Sequence, residues 1–178
     1  MNIPNALTIV RILLIPVFVG LLLYDRFGYG LAVLAVAGVT DVLDGIIARA
    51  ANQRTRLGAF LDPLADKLLL SSGFVTLAIL HLMPLWVAIL IVSRDVILIV
   101  GTLLFQLTES AVDISPTVLG KGTTLVQLVY LILAVLLASQ AMDTKIIQPL
   151  FYLMVGLTLG SGLHYLYRGF SSLGRAEA

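Results

Sequence analysis

The sequence predicts an all-α integral membrane protein, a bundle of six transmembrane helices with both termini cytoplasmic. Three observations carry that prediction. The first is composition: 60% of the 178 residues are hydrophobic and 12% are charged. Mean hydropathy is +1.06, whereas a soluble domain carries about 25% charged residues. The second is that the apolar residues fall into six runs, each near the roughly 20 residues that a helix needs to cross a bilayer. The third is the placing of the basic residues in the connections. With both termini inside, Arg54, Arg56, Lys121, Arg168 and Arg175 face the cytoplasm, and only Arg26 and Lys145 lie outside, as the positive-inside rule requires.

The first span runs from Asn5 to Tyr24. It has no basic lead and no small-residue cleavage site, so it reads as a retained helix and not a signal peptide. The second covers Gly28 to Ala51 and the third Ala59 to His81, joined by the polar link AANQRTR and closed by Gly58. So short a link predicts antiparallel neighbours. Pro84 to Leu107 forms the fourth span, Thr117 to Ser139 the fifth and Ile146 to Tyr167 the sixth, with a short polar tail. No repeat or linker divides the chain, so residues 1–178 read as one domain. A net charge of +1 and no basic stripe argue against nucleic acid. With no cysteine, disulfide and thiol chemistry are excluded.

Against this background four carboxylates stand out: Asp41, Asp44, Asp62 and Asp66. Members of each pair are three or four residues apart, so on helices each pair shares a face. The link then brings the pairs together at one end of the bundle. A carboxylate at membrane depth costs about 2.5–3.5 kcal/mol on insertion scales, and four left bare cost on the order of 10 kcal/mol. Arg49 and Lys67 flank the set, too few cations to balance it. Divalent ions would balance it, and oxygen ligands without His or Cys select Mg²⁺ or Mn²⁺. Four converging carboxylates suffice for a two-metal site that handles phosphoryl groups.

Each residue also has a plainer reading. Asp62 before Pro63 could cap a helix N-terminus. Asp44 with Arg49, or Asp66 with Lys67, could be structural ion pairs. Four acids at these spacings, interleaved with Gly45, Ala48 and Gly58, favour function: small residues let a ligand approach the backbone, and Arg49 offers a forked donor for phosphate. For Ala48 alone, helix packing is an equal account.

These residues are identified as the signature of the CDP-alcohol phosphotransferase family, D-x2-D-G-x2-A-R-x8-G-x3-D-x3-D, matched at Asp41, Asp44, Gly45, Ala48, Arg49, Gly58, Asp62 and Asp66. NIPNALTIVR, LDPLADKLL, SRDV and GKGTTLVQ extend the resemblance over most of the chain. It implies a six-helix homodimer in the cell membrane, its active site facing the cytoplasm. Such an enzyme transfers the phosphatidyl group of CDP-diacylglycerol to an alcohol and releases CMP. By the resemblance Asp41, Asp44, Asp62 and Asp66 would hold two Mg²⁺ or Mn²⁺ ions, Asp66 serving also as general base. Asp44, Gly45, Ala48, Arg49 and Gly58 would line the CDP pocket.

Two acceptors stay open. The N-terminal block and LDPLADK are similar to phosphatidylglycerophosphate synthases, which use glycerol 3-phosphate. Yet the Lys-x-Lys-Thr pattern of those enzymes is here Lys121, Gly122, Thr123, Thr124, and their Ala-Arg-Glu is Ser93, Arg94, Asp95. SRD, AVAGVTDVLDG and ANQRTRLGAFLDPLADK more closely resemble the CMP-forming cardiolipin synthases, whose acceptor is phosphatidylglycerol, and that reading is favoured. Arg11, Arg94 and Lys121 are the candidate cations for the acceptor phosphate. An ion pair from Arg94 to another helix is the competing account of that residue; adjacent Asp95 is expected not to share its face. Lys121 could instead anchor the interface. His81, His164 and Trp86 read as interfacial. A cation channel or transporter would also explain buried acids, but not Gly45, Ala48 and Arg49 at fixed spacing. A prenyltransferase would need a second acid motif.

Overall fold

The computed structural model describes residues 3–50, 56–107 and 118–176, with side chains described in 8–41, 63–101 and 119–165 and at 167. Among these residues there are six α-helices and no strand: α1 (Ile3–Leu23), α2 (Phe27–Ala50), α3 (Arg56–Ile79), α4 (Leu85–Leu107), α5 (Val118–Ser139) and α6 (Gln148–Ala176). A 3-10 turn, Thr144–Ile147, leads into α6. Leu119–Ser139 and Thr144–Tyr165 are each long and apolar enough to cross a membrane, and Thr8–Leu23 and Phe27–Asp41 are shorter apolar stretches.

Two boundaries differ from expectation. α3 starts at Arg56, so Gly58 lies inside the helix and does not open it. Asp62 and Pro63 are interior too, which removes the N-cap reading of Asp62. Pro63 has no N–H to give the Ala59 carbonyl, a cost that a helix interior normally avoids. α6 continues past Tyr167 to Ala176, taking up much of the short polar tail.

α1, α3 and α5 close in the same way. Asp25, His81 and Ala141 adopt left-handed backbone with φ of 58°, 58° and 53°. After α5, the Ala141 N–H bonds the Ala138 carbonyl at 3.1 Å and the Met142 N–H bonds that of Leu137 at 2.9 Å; α1 and α3 repeat the pattern. This satisfies carbonyls that the helix end leaves unpaired. Asp143 then accepts a 2.9 Å hydrogen bond from the Lys145 backbone N–H. That bond holds the Asp143 carboxyl below the usual carboxylate range.

Inward faces follow helical spacing. On α1 the buried positions are Thr8, Arg11, Phe18 and Leu22; on α2 they are Gly30, Leu34 and Ala37, with half-buried Asp41 next in the series. The bundle is divided along its length. Phe18, Leu22, Phe74, Leu77, Val87, Ile91, Leu131, Val135 and Met154 form one apolar core, drawn from the C-terminal halves of α1, α3 and α5 and the first halves of α4 and α6. The buried charges Arg11, Arg94 and Asp95 lie outside this apolar core. Gly30 and Gly73 allow the close approaches in the apolar half. A Cβ on Gly30 would meet the Leu22 Cδ2 at 2.9 Å; one on Gly73 would meet the Leu131 Cδ2 at 2.9 Å and the Phe18 ring at 3.2 Å.

α1 packs against both α2 and α3. Among the described residues, α1 packs on each of them more extensively than any other helices pack together.

Two substitutions test these contacts. Ala141→Gly relieves the left-handed backbone and raises the thermal midpoint in detergent by roughly 1–4 °C, equivalent to about 0.5–1 kcal/mol. Gly73→Val overpacks the α1–α3–α5 contact and destabilises by about 1–3 kcal/mol; both are read by thermal unfolding of the purified protein.

Candidate active site

The site is built around Arg11. Its Nη1 lies 2.9 Å from the Asp66 Oδ1 and 3.0 Å from the Asp41 Oδ1. The donor comes from α1 and the acceptors from α3 and α2, so one nitrogen ties three helices. Its position follows from the sequence: Arg11 is on the α1 stripe that faces both neighbours. The side chain of Arg11 is 1% exposed, whereas those of Asp41 and Asp66 are 44% and 43% exposed. The cation is enclosed and the carboxylates open outward. Two like charges about 4 Å apart repel by roughly 1–4 kcal/mol, from bulk water to an effective dielectric near 20. A guanidinium never loses its charge in a protein, and it turns that repulsion into a shared attraction.

Asp44, Gly45, Ala48 and Arg49 continue on α2, and Gly58 and Asp62 precede Asp66 on α3; their side chains lie outside the described residues. Asp44 therefore follows Asp41 by three helical positions, and Asp62 precedes Asp66 by four. Among the described residues no set of three metal-ligand side chains is assembled. The donor chemistry still fits a hard divalent ion. Asp41 and Asp66 present oxygens to a common point, both are open to solvent, and each carboxylate has about four lone-pair positions, of which Arg11 takes one.

The other expected cations are elsewhere. Arg94 is 4% exposed and donates from Nη1 to the Asp95 Oδ1 at 2.8 Å. Its Nη2 reaches the Ser161 Oγ at 3.0 Å and the Gly120 carbonyl at 3.4 Å, joining α4 to α6 and α5, and among the described residues its Nε has no hydrogen-bond partner. This corrects the expectation that Asp95 cannot pair with its neighbour: the flexible arginine stem folds round the helix far enough to cover the angle between adjacent positions. Lys67 turns to the same oxygen, its Nζ 3.7 Å from the Asp95 Oδ1. Lys67 is thus a partner of Asp95, and the plainer alternative had set it beside Asp66. Lys121 is exposed in the first turns of α5, next to Gly120. Sequence reasoning cast Arg11 as an acceptor cation and overlooked its carboxylate partners. The signal was present in the surplus of acids over nearby cations, with an arginine inside an apolar run.

Asp95 is thus the only carboxylate shared by two cations in the described Arg94 cluster. Asp95→Ala leaves Arg94 enclosed without its counter-charge and destabilises by about 3–5 kcal/mol, whereas an Arg94→Leu/Asp95→Leu pair recovers most of the loss; thermal unfolding in detergent distinguishes them.

Comparison with known proteins agrees with this arrangement. The family model described as CDP-alcohol phosphatidyltransferase matches residues 1–160. The human protein named cardiolipin synthase (CMP-forming) is 37% identical over 187 residues, covering 94% of this chain and 62% of that protein. A Drosophila melanogaster protein named probable cardiolipin synthase (CMP-forming) is 36% identical over 183 residues, covering 93% of this chain and 57% of its own length. A Mycobacterium tuberculosis protein named putative cardiolipin synthase is 36% identical over 125 residues, covering 70% and 59%. The chain spans about three-fifths of the length of these curated relatives. With most of its length matched, and with Asp41 and Asp66 drawn to one point between helices, the chain belongs to the CDP-alcohol phosphatidyltransferase family.

Proposed function

We propose that the protein is a CDP-diacylglycerol-dependent phosphatidyltransferase that uses phosphatidylglycerol as acceptor, so that its products are cardiolipin and CMP. The observation that carries this reading is the Arg11-anchored pair Asp41 and Asp66, set on the helices that hold the whole acidic signature. The names of the relatives support the acceptor. In this reading residues 1–178 form one domain of six spans in the cell membrane. Both termini are cytoplasmic, the acidic end faces the cytoplasm, and the chain works as a homodimer.

Asp41, Asp44, Asp62 and Asp66 are the residues that would hold two Mg²⁺ or Mn²⁺ ions. Such ions, when bound, neutralise the diphosphate and polarise its phosphorus. Asp44, Gly45, Ala48, Arg49 and Gly58 cradle the CDP moiety, where missing or small side chains permit close approach and Arg49 pairs with phosphate. Asp66 accepts the proton of the acceptor hydroxyl as that oxygen attacks the phosphorus bearing diacylglycerol. CMP departs with the electron pair of the broken P–O bond. Arg11 and Arg94, proposed from sequence as acceptor cations together with Lys121, are both held on carboxylates. The exposed Lys121 is therefore the readiest of the three to meet the acceptor phosphate, and Arg94 fixes the adjoining turn of α5 through Gly120.

The alternative acceptor is glycerol 3-phosphate, a monoester with nearly two charges. A single exposed cation suits a phosphodiester with one charge better. A channel or transporter using the acids as an ion site is a third reading, and it predicts no chemistry on CDP-lipid.

The protein purified in detergent with CDP-diacylglycerol and Mn²⁺ is expected to release CMP when phosphatidylglycerol is supplied and to form a lipid with four acyl chains. Release only with glycerol 3-phosphate would overturn the acceptor, and no release with either would overturn the enzyme reading. Asp66→Asn is expected to lower turnover by roughly 10²–10⁴-fold with CDP-diacylglycerol binding retained, measured by calorimetry beside CMP release.

A further inference from the structure

We propose that Arg11 is a built-in counter-cation that keeps the acidic site assembled before any metal arrives. The inference rests on reading the aspartates as metal ligands, and on neither substrate. Its basis is geometric. Asp41 and Asp66 belong to different helices, both packed on α1, and their oxygens meet at the single Nη1 of Arg11, at 3.0 and 2.9 Å. That is the place and the charge that a divalent ion would otherwise have to supply.

The burial pattern points the same way. A cation recruited for a soluble or lipid ligand must be reachable, and Arg11 is 1% exposed while the acids are more than two-fifths exposed. The guanidinium therefore sits behind the carboxylates and ties them to α1, leaving their outer side for ions. Its permanent charge suits that role, since a lysine enclosed in the same place would tend to lose its proton. Thr8, buried one turn earlier on the same stripe, and the core residues Phe18 and Leu22 keep the arginine-bearing face of α1 turned inward. The metal-free protein is on this account a folded species with its ligands already gathered. Metal loading then adds charge to a formed site and does not have to draw two helices together.

The test measures thermal midpoints in detergent with EDTA or with excess Mn²⁺, without substrate. Wild type is expected to unfold cooperatively in EDTA and to rise by only a few degrees with Mn²⁺. Arg11→Gln is expected to melt roughly 5–10 °C lower in EDTA and to regain most of that difference with Mn²⁺. Adding Asp66→Asn to Arg11→Gln removes the like-charge pair and is expected to raise the EDTA midpoint above that of Arg11→Gln. Equal losses in EDTA and Mn²⁺, with a further loss in the double variant, would overturn the proposal and leave Arg11 a packing residue. If Arg11→Gln does not fold in EDTA, recovery of a folded protein by expression of the double variant supports the proposal, and its failure overturns it. If Mn²⁺ shifts neither protein, the metal reading of the aspartates falls, and the double variant in EDTA alone decides the counter-cation role.

Discussion

A guanidinium that keeps its charge under all ordinary conditions lies enclosed on α1, with a carboxylate from each of two other helices on one of its nitrogens. The rest of the polar half of the bundle is arranged around that contact. It joins α1 to both α2 and α3, so that the ends of the acidic signature meet at one nitrogen. It also decides which side of the carboxylates is open, because the arginine occupies the other. Two carboxylates brought this close would otherwise repel one another.

The division of the bundle into two halves follows from the same economy of charge. Apolar packing around Phe18, Phe74, Leu131 and Met154 supplies a rigid half, with glycines where the helices come closest. Such a half can hold the other in register while it carries groups that pack poorly. The Arg94, Asp95, Lys67 and Ser161 cluster ties α3, α4, α5 and α6, and Arg11 ties α1, α2 and α3. α3 belongs to both groups through adjacent residues, Asp66 and Lys67, which turn to different neighbours. Polar ties between α5 and α6, such as the Gln127 Nε2 to Thr158 Oγ1 bond at 3.1 Å, continue the pattern away from the charges.

Much of this was legible in residue order. Hydropathy located the helices closely, and the errors fell where polar residues continue a helix: Arg56 to Gly58 at the start of α3 and the tail of α6. A threshold on apolarity stops at such residues, although the backbone hydrogen bonds run on through them. The spacing of Asp41, Asp44, Asp62 and Asp66 drew attention to two helices, and Asp41 and Asp66 do meet there, on Arg11. Partners across helices were not legible. Asp95 was set aside for Arg94 because adjacent positions diverge on a helix, and a long flexible side chain defeats that rule. Lys67, whose ion pair with Asp66 was weighed only as the plainer alternative, faces Asp95 on α4.

The sequence by itself determined the helical class, the acidic signature and the family that bears it, because these depend on composition and on intervals along one chain. Only the tertiary structure decided that Arg11 holds Asp41 and Asp66, that Asp95 serves both Arg94 and Lys67, and that α1 packs on both helices of the signature. Those are relations of a few ångströms between residues far apart in order. The geometry of packing sets them, and no interval along the chain encodes it.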